Sequence, residues 1–174
     1  KLAFQTSYAA TLKSRLLLYN SLVATHFNYA DIVWGGCNVK NRNKLQRTQN
    51  LAVKSILGMS RKESSEDALK KSKLLTLEEK RKVHEAVFIQ KGLSGKLPAA
   101  ITRQYQQHLP HMQNRSADRK ILVIPKHNTE KFKSSPLYRT IKTWNNTPQE
   151  IKEAGTTTFK KKYQAHLQQT IYKP

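Results

Sequence analysis

The residues of this sequence best suited to chemistry are an aspartate and its neighbours near the N-terminal end. Asp31 closes the triplet Tyr29–Ala30–Asp31, and two-metal phosphoryl transfer needs several carboxylates converging on metal ions about 3.5–4 Å apart. The next residue is Ile32, and the two other aspartates, Asp67 and Asp118, lie among lysines or arginines. We therefore expect Asp31 to be structural, with no metal bound to it and no catalytic residues around it.

The other reactive side chains do not form a recognisable site either. A structural zinc site needs four nitrogen or sulfur ligands, usually in close pairs, and only His108 and His111 are close among the 6 histidines. Nucleophilic catalysis by Cys37 would need a base oriented by a third group. The 6 glycines never form a phosphate-binding loop of the GxxxxGK[ST] or GxGxxG type. We expect no metal, no cofactor and no enzymatic activity in this chain.

The charge of the chain is its strongest functional signal. The 174 residues carry 32 Lys+Arg against 11 Asp+Glu, a formal net charge of +21. Residues 1–62 and 111–174 each have a net charge of +9, whereas residues 63–110 have +3. A charge of this size favours polyanionic partners, so RNA or DNA is the predicted partner. The alternative is a solvated lysine surface that serves solubility.

Basic residues on two predicted helices are the candidate nucleic-acid-binding residues. The first group lies on the helix after Gly36, the second is a run in the last helix, and we expect the two to share a face or flank one groove. The seven residues are Arg42, Lys44, Arg47, Lys54, Lys160, Lys161 and Lys162. Aromatic residues at helical spacing are expected in the core, with base stacking as an alternative for Tyr105 and Phe132.

The apolar periodicity predicts a mainly α-helical protein, a small helical bundle with an irregular basic segment and a C-terminal helical extension. Helices are predicted over 9–24 and 39–57, from near 65 and 77, after Ser135–Pro136 and over 159–170, with a helical rhythm also over 27–34. Capping boxes at Ser64 and Thr76 and a glycine at 58 mark helix ends. Ile121–Ile124 is either a short edge strand or an extended tie onto the core. The predicted core residues are Leu12, Leu16, Tyr19, Val23, Trp34, Leu45, Ala52, Ile56, Val87 and Trp144.

Composition and periodicity also suggest how the chain is divided and where it works. We expect helices over 1–60, a helical connector over 61–104, an irregular basic linker over 105–134 and the helical extension over 135–174. One cysteine and no signal peptide indicate an intracellular protein, in nucleus and cytoplasm. No apolar run approaches the roughly 18–20 residues of a membrane span, so no membrane partner is expected. Lys1 is not an initiator Met, which suggests a piece of a longer protein.

Three blocks of residues, in order along the chain, resemble the region that follows the polymerase core in non-LTR retrotransposon reverse transcriptases of the jockey and chicken-repeat type. The first is Leu18–Val23 with Tyr29 and Val33–Trp34, which resembles the thumb helices beyond the palm; the second is Leu45–Asn50 with Ile56–Gly58. The third is Ile124–Lys126, Phe132–Ser135, Trp144–Pro148 and Phe159–Lys160. Thr147 departs from the leucine that the family tends to have before the proline. Tyr29–Ala30–Asp31 also begins like the polymerase signature, but the second aspartate is missing.

The resemblance implies a non-catalytic C-terminal fragment of an RNA-directed DNA polymerase. In such enzymes the thumb grips the backbone of the primer–template duplex, which is mainly electrostatic and largely independent of sequence. The implied partners are RNA or DNA backbone, during target-primed reverse transcription, and the polymerase palm of the parent protein. The alternative is a helical protein-interaction module that docks on the polymerase core, with its charge serving solubility.

Overall fold

A computed structural model describes residues 11–106, 109 and 120–171. In these residues the protein is a small helical bundle without strands, which confirms the predicted mainly α-helical class. A π-helical segment, Tyr19–Val23, separates the first two helices. The helices in chain order are α1 Leu12–Leu18, α2 Ala24–Asn28, α3 Asp31–Trp34, α4 Val39–Leu57, α5 Ser65–Ser72, α6 Leu77–Leu93, α7 Ala99–Gln106, α8 Glu130–Lys133, α9 Pro136–Asn145, α10 Gln149–Lys152 and α11 Thr156–Ile171.

Side-chain caps set the starts of the helices that build the bundle. Asn38, Ser64, Thr76 and Ser135 each accept a hydrogen bond from the backbone N–H three residues later. These bonds satisfy amides that a helix start leaves unpaired. The predicted starts of α4, α5, α6 and α9 are therefore confirmed. The predicted end of α4 is confirmed as well, because Gly58 follows it with a left-handed φ of 69°.

The rhythm predicted over 27–34 does not continue as one helix. Helix α2 ends at Asn28, and Ala30 takes a left-handed conformation with φ 49° and ψ 28°. The Trp34 indole N–H donates to the Tyr29 carbonyl oxygen across 2.6 Å and holds this tight reversal closed. Residues other than glycine rarely adopt positive φ, so the apolar rhythm of the sequence does not indicate a break at Ala30.

Two hydrophobic clusters hold the bundle together. The first cluster joins α2, the π segment, α4 and α5 through Tyr19, Ala24, Val53, Ile56, Ala68 and Leu69. The second cluster surrounds α6 and contains Leu75, Val83, Ala86, Ile89, Tyr105, Leu122, Ile141, Trp144, Ile151, Phe159 and Tyr163. Helix α6 contacts α3, α4, α7, α9 and α11, and is therefore the centre of the fold.

The predicted core is partly correct. Tyr19, Ile56 and Trp144 are buried, and four more predicted residues are half-buried against a cluster: Leu16, Val23, Ala52 and Val87. Leu45 and Trp34 are half-buried outside both clusters. The prediction was wrong for Leu12, which is 39% exposed, because the apolar side chains of α1 extend around the helix and only part of its surface packs.

The segment over Ile121–Ile124 is an extended tie and not a strand. The Leu122 backbone N–H donates to the Asn145 Oδ1 atom and the Asn145 Nδ2 atom donates to the Leu122 carbonyl, each across 2.9 Å. The Trp144 indole N–H donates to the Lys120 carbonyl oxygen across 2.7 Å. Two consecutive side chains of α9 thus satisfy the backbone of this segment in place of a neighbouring strand.

Candidate nucleic-acid interface

A buried ion pair between Glu85 and Arg139 joins α6 to α9. The Arg139 guanidinium donates to the Glu85 Oε1 atom from Nη2 across 2.7 Å and from Nε across 3.1 Å. The Thr143 hydroxyl donates to Glu85 Oε2 across 2.6 Å. Arg139 also donates to the backbone carbonyls of Ile32, at 2.9 Å, and Ser134, at 3.1 Å. Both charges therefore have full sets of partners, and Arg139 links α3, α6 and α9.

Two adjacent glycines, Gly35 and Gly36, leave space for the side chains of Arg81 and Arg139. A Cβ atom on Gly35 would collide with the Arg81 side chain and with the Asp31 carbonyl oxygen, and one on Gly36 would collide with the Ser134 carbonyl oxygen. Gly35 has φ −61°, which any residue adopts, so the absence of a side chain and not backbone freedom is what matters there. The Arg81 guanidinium carbon lies 5.0 Å from the centre of the Trp34 ring, a cation–π arrangement.

These elements surround a basic cleft of about 540 Å³ between α4, α6, α9 and α11. Its charged lining residues are five cations and two carboxylates: Arg42, Arg81, Lys82, Arg139, Lys142, Glu78 and Glu85. A smaller cavity of about 250 Å³ shares Arg42, Glu78 and Arg81 with this cleft and adds Glu79. The bundle thus gathers cations from three helices at one place, and this basic cleft is the candidate site.

Two arginines of the basic cleft have a buried donor atom without a hydrogen-bond partner. Arg81 is only 6% exposed. Burial lowers its pKa below the ordinary value, the nearby Arg139 guanidinium lowers it further, and the Glu85 and Asp31 carboxylates oppose both effects. The Nε atoms of Arg42 and Arg81 are buried and have no hydrogen-bond partner. Buried charges without partners are unfavourable, and a bound anion would relieve this cost.

The candidate residues of α4 do not form one surface. Arg42 lines the basic cleft, whereas Lys44 and Arg47 are exposed and, at about 100° per residue, point away from Arg42. Lys54 is a correction: it is 7% exposed, and its Nζ atom donates to the Arg61 carbonyl oxygen across 3.1 Å. This lysine secures the turn after α4, so its charge does not belong to the binding surface.

The three consecutive lysines of α11 cover the exposed side of that helix. Phe159 and Tyr163 are buried, while Lys160, Lys161 and Lys162 are exposed. Lys160 lines a different cavity, of about 820 Å³, with Asp31, His84 and several apolar side chains of α6, α7 and α9. Arg42 and Lys160 therefore line two different cavities on α6 instead of one groove.

Asp31 is buried and is held by a histidine of α6. Its Oδ2 atom lies 2.6 Å from the His84 Nδ1 atom, so the side chain ties α3 to α6. No group of three or more His, Cys, Asp or Glu side chains that could hold a metal ion occurs in the described part of the chain. His108 and His111 lie outside the described residues.

The two candidates for base stacking differ in exposure. Tyr105 is buried and its hydroxyl is 2.9 Å from the Thr140 hydroxyl, which identifies it as a core residue. Phe132 is half-buried between His127, 6.3 Å away by ring centres, and Tyr138, also 6.3 Å away. The ring of Phe132 is therefore occupied by protein neighbours.

Sequence reasoning missed four cations of the basic cleft: Arg81, Lys82, Arg139 and Lys142. A local signal existed, because Arg139 and Lys142 are three residues apart on a capped helix, and Arg81 and Lys82 follow a capping box. Residues three apart, such as Arg139 and Lys142, share a helix face. Their convergence with Arg42 depends on how three helices pack, which the sequence does not display.

Comparison with known proteins found no matching family model, no matching curated protein and no matching solved structure. In the described residues, no helix combines the length and the apolar character that crossing a membrane requires.

Proposed function

We propose that this chain is a non-catalytic, nucleic-acid-binding part of an RNA-directed DNA polymerase of the non-LTR retrotransposon type. It grips the RNA or DNA backbone during target-primed reverse transcription and contacts the polymerase palm of its parent protein. The observation that carries the binding role is the basic cleft, in which three helices bring five cations together on a chain of net charge +21. The assignment to the polymerase family has its support in the three sequence blocks.

The charge arrangement supports backbone binding over recognition of particular bases. Arg42, Lys82 and Lys142 line the cleft, whereas Lys44 and Arg47 are exposed on other sides of α4. Phosphate contacts by such side chains release condensed counterions and carry no sequence information. A polymerase segment that follows a moving duplex must bind the duplex backbone independently of its sequence.

Salt dependence of duplex binding tests the proposal. If Arg42, Lys82 and Lys142 of the basic cleft each contact one phosphate, the logarithm of the association constant falls with the logarithm of salt concentration with a slope of about −2.7. Replacing Arg42 and Lys142 by alanine reduces that slope by about 2 and weakens binding to all sequences equally.

The matched control is Lys70→Ala, which removes an exposed charge of α5 away from the cleft. It leaves the slope unchanged if the contacts are local. A wild-type slope near zero, or loss of affinity for a single sequence, contradicts backbone gripping.

A second candidate function is docking on another protein surface. The first helical stretch exposes Leu17 at 69% and Leu22 at 57%, with Leu12 and Leu18 also exposed. Exposed leucines on consecutive turns favour a protein contact. If this is the main role, Leu17→Ser with Leu22→Ser reduces binding to the polymerase core and leaves the salt slope on duplex unchanged.

A further inference from the structure

The basic cleft holds more positive charge than its own carboxylates balance. Arg139 is satisfied by Glu85 and two backbone carbonyls. Lys82 lies 3.8 Å from Glu78 in an exposed pair. Within the described residues, Arg42, Arg81 and Lys142 have no carboxylate at ion-pair distance. When Glu79 of the adjoining small cavity is included, the five cations face three carboxylates, a net charge of +2.

Three unpartnered buried atoms belong to residues of the two cavities: the Nε atoms of the two arginines that line both, and the Oε2 atom of Glu79 in the small cavity. The Nε atoms of Arg42 and Arg81 are buried and unpaired, and Arg81 is more than nine-tenths buried. A buried charged donor that has no acceptor is unfavourable. An oxyanion in the cleft supplies acceptors for the guanidinium N–H groups, and arginine donors match phosphate oxygens in geometry.

We propose that the basic cleft binds a doubly charged phosphoryl group, with Arg42, Arg81 and Lys142 as its ligands. A dianion balances the net charge of +2, whereas a phosphodiester within a strand carries only one charge. Orthophosphate and the terminal phosphate of a nucleic-acid strand share this chemistry. The anion site stands independently, and its use for a strand end rests on the proposed function.

Arginine side-chain NMR on the full chain tests the site directly. Orthophosphate titrated at constant ionic strength against chloride shifts the Nε–H signals of Arg42 and Arg81, and the shift saturates. The double variant Arg42→Gln with Lys142→Ala removes saturation, whereas Lys70→Ala keeps it. Absence of a saturable shift in the wild-type protein, which needs no variant to fold, overturns the anion site, as does an unchanged shift in a folded double variant.

Two duplexes that differ only in a 5′-phosphate separate the sources of the ligand. We expect the 5′-phosphorylated duplex to bind about tenfold more tightly than the 5′-hydroxyl duplex, from at least one additional charge-assisted hydrogen bond. Equal affinity together with a saturable orthophosphate shift refutes the strand-end source and assigns the site to free phosphate. A salt slope near zero on the 5′-hydroxyl duplex, with the shift intact, refutes the proposed function and leaves the anion site supported.

Discussion

Replacing Arg139 by leucine should be among the most destabilising single changes in this protein. The Glu85 side chain is 5% exposed and that of Arg139 is 17% exposed, so the variant leaves a carboxylate in the interior with only the Thr143 hydroxyl as a partner. It also removes the donor to the Ile32 and Ser134 carbonyls. Breaking a buried ion pair on one side costs about 3–5 kcal/mol, and we expect a loss in that range.

Chemical denaturation followed by far-ultraviolet circular dichroism measures the free energy of unfolding. The double variant Arg139→Leu with Glu85→Leu should recover about half of the loss or more, because no unpaired charge then remains inside. Lys133→Leu is the matched control: it breaks the exposed contact to Glu130 and should leave stability unchanged. The reasoning is refuted if Arg139→Leu costs less than about 1 kcal/mol, or if the double variant is no more stable than the single one.

Four other outcomes are expected. Gly36→Ala should lower the melting temperature, because a Cβ atom there collides with the Ser134 carbonyl oxygen. The control Gly155→Ala should not, because the nearest atom to its Cβ lies 4.0 Å away. Equal melting temperatures of the two variants would contradict the close approach of Gly36 to Ser134. Asn145→Ala should cost about 1–3 kcal/mol and speed hydrogen exchange at the Leu122 amide, and unchanged exchange would show that the tie does not depend on Asn145. Asp31 should bind neither Mg²⁺ nor Mn²⁺, and metal density within about 2.0–2.4 Å of it would revive a catalytic interpretation. Burial raises the pKa of Tyr19, Tyr105 and Tyr163 above 10.0, so phenolate absorbance should show three groups that titrate above that pH. The stability that these neutral tyrosines contribute is full below about pH 10 and should be lost as the pH rises further. A single titration step at pH 10 would argue against their burial.

The sequence was a good guide wherever a structure depends on neighbours within a few residues. Ser64, Thr76 and Ser135 cap amides three residues away, and Gly58 ends α4 by its own backbone conformation. These are local hydrogen bonds and dihedral angles, which residue type largely determines. The boundaries that they set were therefore predicted well.

Glycines that serve packing were harder to interpret. A glycine near the end of a helix is typical of a helix stop, but α6 continues through Gly92 to Leu93, and Gly92 is buried, with Tyr105 3.5 Å from where a Cβ would lie. Gly35 and Gly36 follow the end of α3, and both lie against an arginine side chain from a distant helix, Arg81 and Arg139 respectively. A glycine required by a distant neighbour looks the same in sequence as one required by a turn.

The candidate site was only partly predictable for the same reason. Arg42 was identified by charge, but Arg81 and Arg139 are 58 residues apart in sequence and meet only when α6 packs on α9. Lys54 was included because of its charge, although its ammonium reaches a carbonyl seven residues later and is buried. Composition predicts that cations are present, while packing decides which of them can face a ligand. The division of the chain into four segments stays a prediction.

The separation of the two hydrophobic clusters has a consequence for how the protein unfolds locally. The first cluster draws on residues 16–74 and the second on residues 75–167. Gln49 joins them by donating to the Leu75 carbonyl oxygen across 3.0 Å, and Gln46 by accepting from the Leu77 amide across 2.9 Å. Each cluster is held by its own apolar contacts, which is the pattern of separately cooperative units. Local unfolding of the first cluster would move Arg42 away from Arg81 and Lys142. An anion bound by all three residues would therefore hold the two units together and slow hydrogen exchange in both.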